Sequence, residues 1–165
     1  MSSLQHIPKS ISMIKVKLFD EACKFEVSKK GDWIDLHSRI DFHIEKNKFK
    51  LLPLGVAMEL PDGYEAIIAS RSSTYIRNFI ANPNAIGIID NSYHGDNDEW
   101  KWLLYAYKEQ DIKKGDRFCQ FRIQLSQKAT FWQKIKWLFS NKIEFKFVDE
   151  LGNNNRGGFG STGIR

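Results

Sequence analysis

From Met13 to Ser70 the chain is written in short apolar runs that alternate with polar residues, are cut repeatedly by turn signals, and never settle into a helical period. Alternation with a period of two places every second side chain on one face, which describes strands buried on one side. Ile14, Val16 and Leu18 alternate with Lys15 and Lys17, and Phe25 and Val27 continue in the same manner. Gly31 breaks that run ahead of Ile34-Asp-Leu36. Further short strands are predicted around Phe42/Ile44 and Phe49/Leu51 and over 55–60. Pro61-Asp-Gly63 is a turn, and Tyr64 to Ser70 reads as a buried strand. Many short strands with frequent turns predict an all-β sandwich or barrel.

The second half adds strands and a single change of period. The run Trp100 to Tyr107 is dense in apolar and aromatic residues and reads as a buried strand or a subunit contact rather than a ligand stack. A turn at Gly115 precedes an alternating strand, with Cys119 as a small buried hydrophobe and Gln120 on the opposite face. Between Ser126 and Glu144 the spacing becomes helical: Phe131, Trp132, Ile135, Leu138 and Phe139 share a face, with Lys134, Lys136 and Lys142 around them. A helix laid on the β domain is the ordinary reading of such a stripe. The sharper one is a docking element for a partner, or a weak membrane-surface contact. Residues 143–148 alternate again as a last strand. A second, short helix fits between Tyr75 and Pro83.

Four stretches carry candidate chemistry. Asp35 stands between Ile34 and Leu36, so it points away from their face; it is either a solvated strand residue or an outer-shell holder of hydrated Mg²⁺. Ser70-Arg-Ser-Ser-Thr74 offers a planar guanidinium fork and hydroxyl donors suited to phosphate, or merely a capped strand end. Gly87-Ile-Ile-Asp-Asn-Ser-Tyr-His-Gly-Asp96 reads as a β-hairpin with Asp90 and Tyr93 pinned at its corner. Those two residues are turn formers, or a base beside a ring that stacks on a ligand. The end of the chain, from Gly152 on, holds five of the eleven glycines (152, 157, 158, 160 and 163). Such a tail cannot build a core, yet its N–H groups and Arg156 can wrap phosphates while Phe159 covers a flat ring.

Composition narrows the setting. At 165 residues the chain fits one domain with a sizeable core. A net charge of +5 with scattered basic residues favours anionic ligands without singling out nucleic acid. Cys23 and Cys119 lie far apart, outside any CxxC or Cys/His cluster, so neither a disulfide framework nor a zinc site is expected, and a reducing cytoplasm fits. No apolar run is long enough to span a membrane, and the first residues lack a signal-peptide core. The expected organisation is an N-terminal arm over 1–12, a β domain over 13–151 with a helical insert at about 127–142, and a flexible glycine-rich arm over 152–165.

Five segments, in order, resemble the motifs of the trimeric dUTPases (deoxyuridine triphosphate nucleotidohydrolases). They are Gly31-Asp-Trp-Ile-Asp-Leu36, Ser70-Arg-Ser-Ser73, Gly87 to Gly95, Lys114-Gly-Asp-Arg-Phe-Cys-Gln120, and Arg156-Gly-Gly-Phe-Gly-Ser-Thr-Gly163. The Arg-Ser-Ser element is weak alone, whereas the terminal segment is highly specific. The likeness runs from about Met13 to the C-terminus, the helical insert excepted. It implies a distorted jelly-roll β-barrel of the dUTPase-like β-clip type, and a homotrimer with active sites at subunit interfaces. Each site would draw the third motif from one chain, the second and fourth from a neighbour, and the C-terminal arm from the last.

The implied reaction is that of a dUTP diphosphatase. Mg²⁺-dependent, in-line attack of water on the α-phosphorus of dUTP would give dUMP and pyrophosphate, lowering dUTP and supplying dUMP for dTMP synthesis. Asp90 would be the base, and Tyr93 would sit under the deoxyribose. The hairpin backbone at Gly87 and Ile89, with Asn84, would read the uracil edge. Arg71, Ser72, Ser73 and Gln120 would hold phosphates, and Asp35 would steady the hydrated metal. Arg156 would clamp the γ-phosphate while Phe159 closes over the base and Gly160, Ser161 and Thr162 complete the phosphate contacts.

The sequence departs from the family pattern in places. Tyr93-His94-Gly95-Asp96 replaces the frequent Tyr-Arg-Gly-Glu, and the first motif lacks its usual hydrophobic-Gly start, so its register rests on Asp35-Leu36. The Trp100–Tyr107 run resembles variants from Gram-positive bacteria and their phages, which would place the protein in the cytoplasm, the host's if it is phage-encoded. Phage relatives with inserts engage repressor proteins. A nucleotide-dependent protein-binding switch acting through Phe131–Phe139 is therefore one alternative, and dCTP deaminase-like activity, on the shared fold, is another. Neither nucleic acid nor membrane is expected as a partner.

Overall fold

A computed structural model describes residues 12–27, 31–140 and 142–158. The expected N-terminal arm, apart from Ser12, lies outside these residues. So do Phe159, Gly160, Ser161 and Thr162.

The chain is mostly β, and its strands form four small sheets around one core. The largest consists of β2 (Ile34–Leu36), β11 (Cys119–Leu125), β6 (Tyr64–Ser70) and β8 (Ile86–Asp90), in that order and antiparallel throughout. A second sheet places β1 (Ser12–Leu18) between β12 (Ile143–Val148), parallel to it, and β5 (Val56–Glu59), antiparallel. A third joins β4 (Lys48–Pro53), β9 (Lys101–Ala106) and β7 (Ile80–Ala81), and a two-stranded ladder pairs β3 (Phe42–Ile44) with β10 (Gln110–Ile112). This is the jelly-roll-like arrangement expected, although the pairings among the described residues do not close into a continuous barrel.

The alternating patterns of β1, β2 and β11 fold as read, whereas Phe49 of β4 is exposed. Ile14 and Val16 of β1, Ile34 and Leu36 of β2, and Cys119, Phe121 and Ile123 of β11 all point inward. The aromatic run also turns inward: Trp100, Trp102, Leu104 and Ala106 are buried, and Trp100 meets Phe121 edge-on with ring centroids 5.3 Å apart. Such edge-to-face pairs add to area burial. Cys23 and Cys119 are buried free thiols, and burial raises both above the ordinary thiol range, Cys23 to about 11.

Three expectations need correction. The stretch after Leu18 does not continue as a strand; it makes a 3-10 turn over Glu21–Cys23, capped by the Asp20 carboxylate accepting from Ala22 N–H, and Phe25 enters the core from irregular chain. The segment around Asp90 is not a local hairpin. β8 pairs with β6, and the residues after Asp90 follow an irregular path to β9, which pairs elsewhere. Their backbone groups bond to side chains and to the C-terminal segment instead of to a returning strand.

The third correction concerns the insert. The helix exists as α2 (Phe131–Phe139), opened by a Thr130–Gln133 capping box. Its apolar stripe, however, faces outward: Phe131, Trp132, Leu138 and Phe139 are 67–79% exposed. The opposite side docks. Gln133 donates to the Asp62 carbonyl at 2.7 Å, and Trp137 packs on Tyr64 with centroids 5.8 Å apart. Gly63, at φ +80°, leaves the room: a Cβ there would fall 2.5 Å from Gln133 Oε1. The spacing identified a shared face but not its direction. The second helix is α1 (Thr74–Asn78), short as expected.

Candidate active site

The candidate residues gather at two ends of the four-stranded sheet. At one end, β2 and β6 flank β11, so Gln120 lies opposite both Asp35 and Ala69. Asp35 projects from the partly open side of β2, as the alternation requires. One of its oxygens accepts from Arg71 Nε at 2.8 Å and the other from Arg117 Nη1 at 3.1 Å. Arg71 is tied in turn to β11, its N–H donating to the Phe118 carbonyl at 3.0 Å. Thr74 Oγ1 donates to the same carbonyl at 2.6 Å, which fixes the Ser72-Ser73 corner above it. Ser72 is exposed and Ser73 half-buried. Nearby His37 is held neutral-leaning, its pKa lowered by burial and by Arg117. Two guanidiniums close on one carboxylate, with Ser72 and Ser73 following Arg71 in the chain and Gln120 opposite Asp35 in register, a donor set suited to an anion.

At the other end, Asp90 closes β8. Ser92 donates to it through both its N–H, at 2.9 Å, and its hydroxyl, and Arg156 Nη1 approaches its second oxygen at 3.0 Å. Partial burial pushes the Asp90 pKa up, but the Ser92 bonds and the Arg156 charge outweigh it and hold the carboxyl below its usual range. It is an ionised, acceptor-ready carboxylate at neutral pH. Tyr93 is locked by its hydroxyl donating to the Glu99 carbonyl at 2.9 Å, and burial, with Asp98 and Glu99 nearby, pushes its pKa up to about 12. Its ring lies against Gly158, where a Cβ would come within 3.1 Å. Asn84 is exposed just before β8, toward the Arg71 end of the sheet because Ile86 is opposite Ala69, and Gly87 and Ile89 are half-buried.

The two ends do not meet within one chain. Asp90 is opposite Glu65, whereas Arg71 follows Ser70, so six residues of β6 separate them. At about 3.3 Å per strand residue that is roughly 20 Å. Arg156, by contrast, reaches Asp90 of its own chain, Nη1 to the second carboxylate oxygen.

No group of three or more His, Cys, Asp or Glu side chains able to enclose a metal occurs among the described residues. Asp35, with an arginine on each oxygen, would hold a Mg²⁺ only through water. Two residues that share in this geometry had received no role from the sequence. Arg117 lies inside the fourth motif, and Asp98 lies outside all five.

A jelly-roll-like β protein with arginines and serine hydroxyls at one sheet end and an ionised aspartate at the other carries groups suited to an anionic, phosphorylated ligand. The dUTPase family model matches residues 28–163. The chain is 47% identical, over 92% of its length and 99% of the relative's, to the SPbeta prophage-derived deoxyuridine 5'-triphosphate nucleotidohydrolase YosS of Bacillus subtilis. Two solved structures share its fold. One is a mutant dUTPase from phage phi11 of S. aureus, described with a structural Mg(II) ion: TM-score 0.62, 18% identity, 72% of this chain and 94% of that one. The other is the Staphylococcus bacteriophage 80alpha dUTPase, described in the control of virulence-gene transfer: TM-score 0.57, 23% identity, 72% and 93%. The chain belongs to the dUTPase family, in its phage and Gram-positive form.

Proposed function

We propose that the protein hydrolyses dUTP to dUMP and pyrophosphate at sites assembled between chains of a homotrimer. The observation that carries the shared site is the separation of about 20 Å between Asp90 and Arg71 along β6, which one chain cannot bridge. β8 supports it: this edge strand exposes Ile86 and Ile88, an unpaired apolar edge of the kind that subunits cover.

Ionised Asp90 takes a proton from water. The water oxygen bonds to the α-phosphorus in line as the bond to the bridging oxygen breaks, and pyrophosphate leaves. Tyr93, held by Glu99, lies under the deoxyribose, where its rigid ring disfavours a 2′-hydroxyl. Asn84 and the backbone at Gly87 and Ile89 read the uracil edge. Arg71, Ser72, Ser73 and Gln120 of a neighbouring chain bind phosphate oxygens, and Asp35 orients Arg71. Asp35 would hold Mg²⁺ through water, and the ion would supply positive charge against the triphosphate. Arg156 moves from Asp90 to the γ-phosphate as nucleotide enters, with Phe159 to Thr162 closing behind it. We place this activity in the cytoplasm; no helix among the described residues is long and apolar enough to cross a membrane.

The test is complementation. Asp90→Asn and Arg71→Ala proteins should each be nearly inactive in pyrophosphate release from dUTP with Mg²⁺. Co-expressed as mixed trimers, about a quarter of their sites should carry both native groups and regain activity. Mixed trimers as inactive as their parents would overturn the shared site, and a wild type equally active on UTP, dCTP or dTTP would overturn the substrate. A second reading, favoured by the outward stripe of α2, adds a protein partner. Trp132→Lys with Leu138→Lys should then abolish partner capture and leave hydrolysis intact.

A further inference from the structure

We propose that Asp98 is the positioning residue of the C-terminal arm, its carboxylate setting the register at which Arg156 enters the site; the role in turnover rests on the dUTPase reading above. Asp98 is only 2% exposed. One oxygen accepts from Gly95 N–H at 2.9 Å and from Arg156 N–H at 2.8 Å, and the other accepts from Gly157 N–H at 2.9 Å. One buried side chain thus joins the loop after Asp90 to the two peptide groups that flank the Arg156 α-carbon.

The surrounding contacts converge on the same stretch of arm. Asp96 accepts from Leu151 N–H at 2.8 Å and Gly152 N–H at 3.0 Å, with Lys17 Nζ at 3.2 Å on the first of those oxygens. Asn155 Oδ1 accepts from Asn97 N–H at 2.7 Å. Gly95 lets the two segments of this junction touch, since a Cβ there would fall 2.4 Å from the Asn155 Cα. Gly157 takes φ +74°, the left-handed turn that brings its N–H beside that of Arg156. With the backbone fixed here, the Arg156 side chain reaches Asp90 at 3.0 Å.

The energetics select Asp98 within this group. A buried carboxylate is tolerated only when hydrogen-bonded, and each of its three donors is a backbone N–H, two of them from the arm. Asp96 is more open and has Lys17 as a further partner. Docking of the arm is therefore what satisfies the Asp98 charge, and the Asp98 charge is what fixes where the arm docks. A purely local role, closing the turn from Gly95 to Asp98, would need only the Gly95 bond.

The experiment uses the full chain with Asp98→Asn, which keeps the shape but presents an NH₂ to backbone donors. Limited trypsin digestion reads the arm directly, because the Arg156–Gly157 bond lies between the two clamped N–H groups. Cleavage there is expected to accelerate about tenfold or more in the variant, with cleavage elsewhere unchanged. With nucleotide, kcat/KM for dUTP should fall at least tenfold while inhibition by dUMP, which lacks the γ-phosphate, changes less than twofold. Gly95→Ala, which leaves Asp98 in place but blocks Asn155, should give the same cleavage pattern; it decides the matter if the Asn variant folds poorly. Unchanged cleavage at Arg156 in both variants overturns the proposal, as does a loss of dUMP binding equal to that of dUTP, which marks a local loop role. The digestion result does not depend on turnover, so failure of the clamp and failure of the dUTPase reading are told apart.

Discussion

Two carboxylates at opposite ends of one sheet are both held by arginine, yet in different ways. Asp35 is gripped by Arg71 and Arg117, each anchored through neighbouring strands whose register is set by long antiparallel ladders. Asp90 is held by Ser92 beside it and by Arg156, which arrives from more than sixty residues away on the C-terminal arm. The first grip belongs to the scaffold. The second can be exchanged, because the arginine has a use elsewhere once an anionic ligand enters. Preorganised charge binds phosphate with little reorganisation, whereas a releasable partner keeps the base ionised until it is needed.

Replacing the acceptor at the releasable end should have the largest effect. Asp90→Asn is expected to lower kcat for dUTP by about 10³ with little change in KM, the scale of a lost general base. Wild-type turnover in that variant would make the Asp90 end a mere turn. At the fixed end, Arg71→Ala should cost about 10² in kcat/KM, and Arg71→Lys should recover little, because a lysine cannot supply the same planar fork. Asp35→Asn sharpens the point through its Mg²⁺ titration: a right-shifted midpoint marks a water-mediated metal contact, and an unshifted one marks a residue that only orients Arg71.

The pH dependence separates the two grips more finely. Asp90 is depressed, so its native contacts stabilise the fold fully above the ordinary carboxylate pKa and are lost as pH falls through the lower native value. The acid limb of kcat/KM should accordingly lie below 3.8, the unperturbed value. Arg156→Ala should move that limb up only slightly, since Ser92 remains. A limb fixed at its old position would show that the arginine contributes no field at the base.

The smallest expected effects lie on α2, where the helix repeats the contrast between held and unheld faces. Trp137→Ala, at the docked face, should lower stability by about 2 kcal/mol in thermal or urea unfolding. Trp132→Ala, on the outward face, should stay within about 0.5 kcal/mol. Equal losses would mean that the stripe is covered, as it would be if subunits met there.

Much of this was legible from residue order. Alternation determined which side of β1, β2 and β11 is buried, because a pleated strand leaves no choice of side chain spacing. It also placed Asp35 on the open face and made Cys119 a core residue. The motif segments determined the family, the fold class and the residues to examine, since each needs a particular residue type at a particular spacing.

Tertiary structure alone decided the rest. Periodicity grouped the stripe of α2, but direction depends on what lies beneath, and there Trp137 and Gln133 fit against Tyr64 and Gly63. The turn chemistry at Asn91-Ser92 was real, but pairing is chosen between strands, and β8 found β6. Arg117 and Asp98 carried no signal of their roles, because a carboxylate's partners come from wherever the chain returns. That is why Asp98, buried beside Glu99, draws two of its three donors from nearly sixty residues further along the chain.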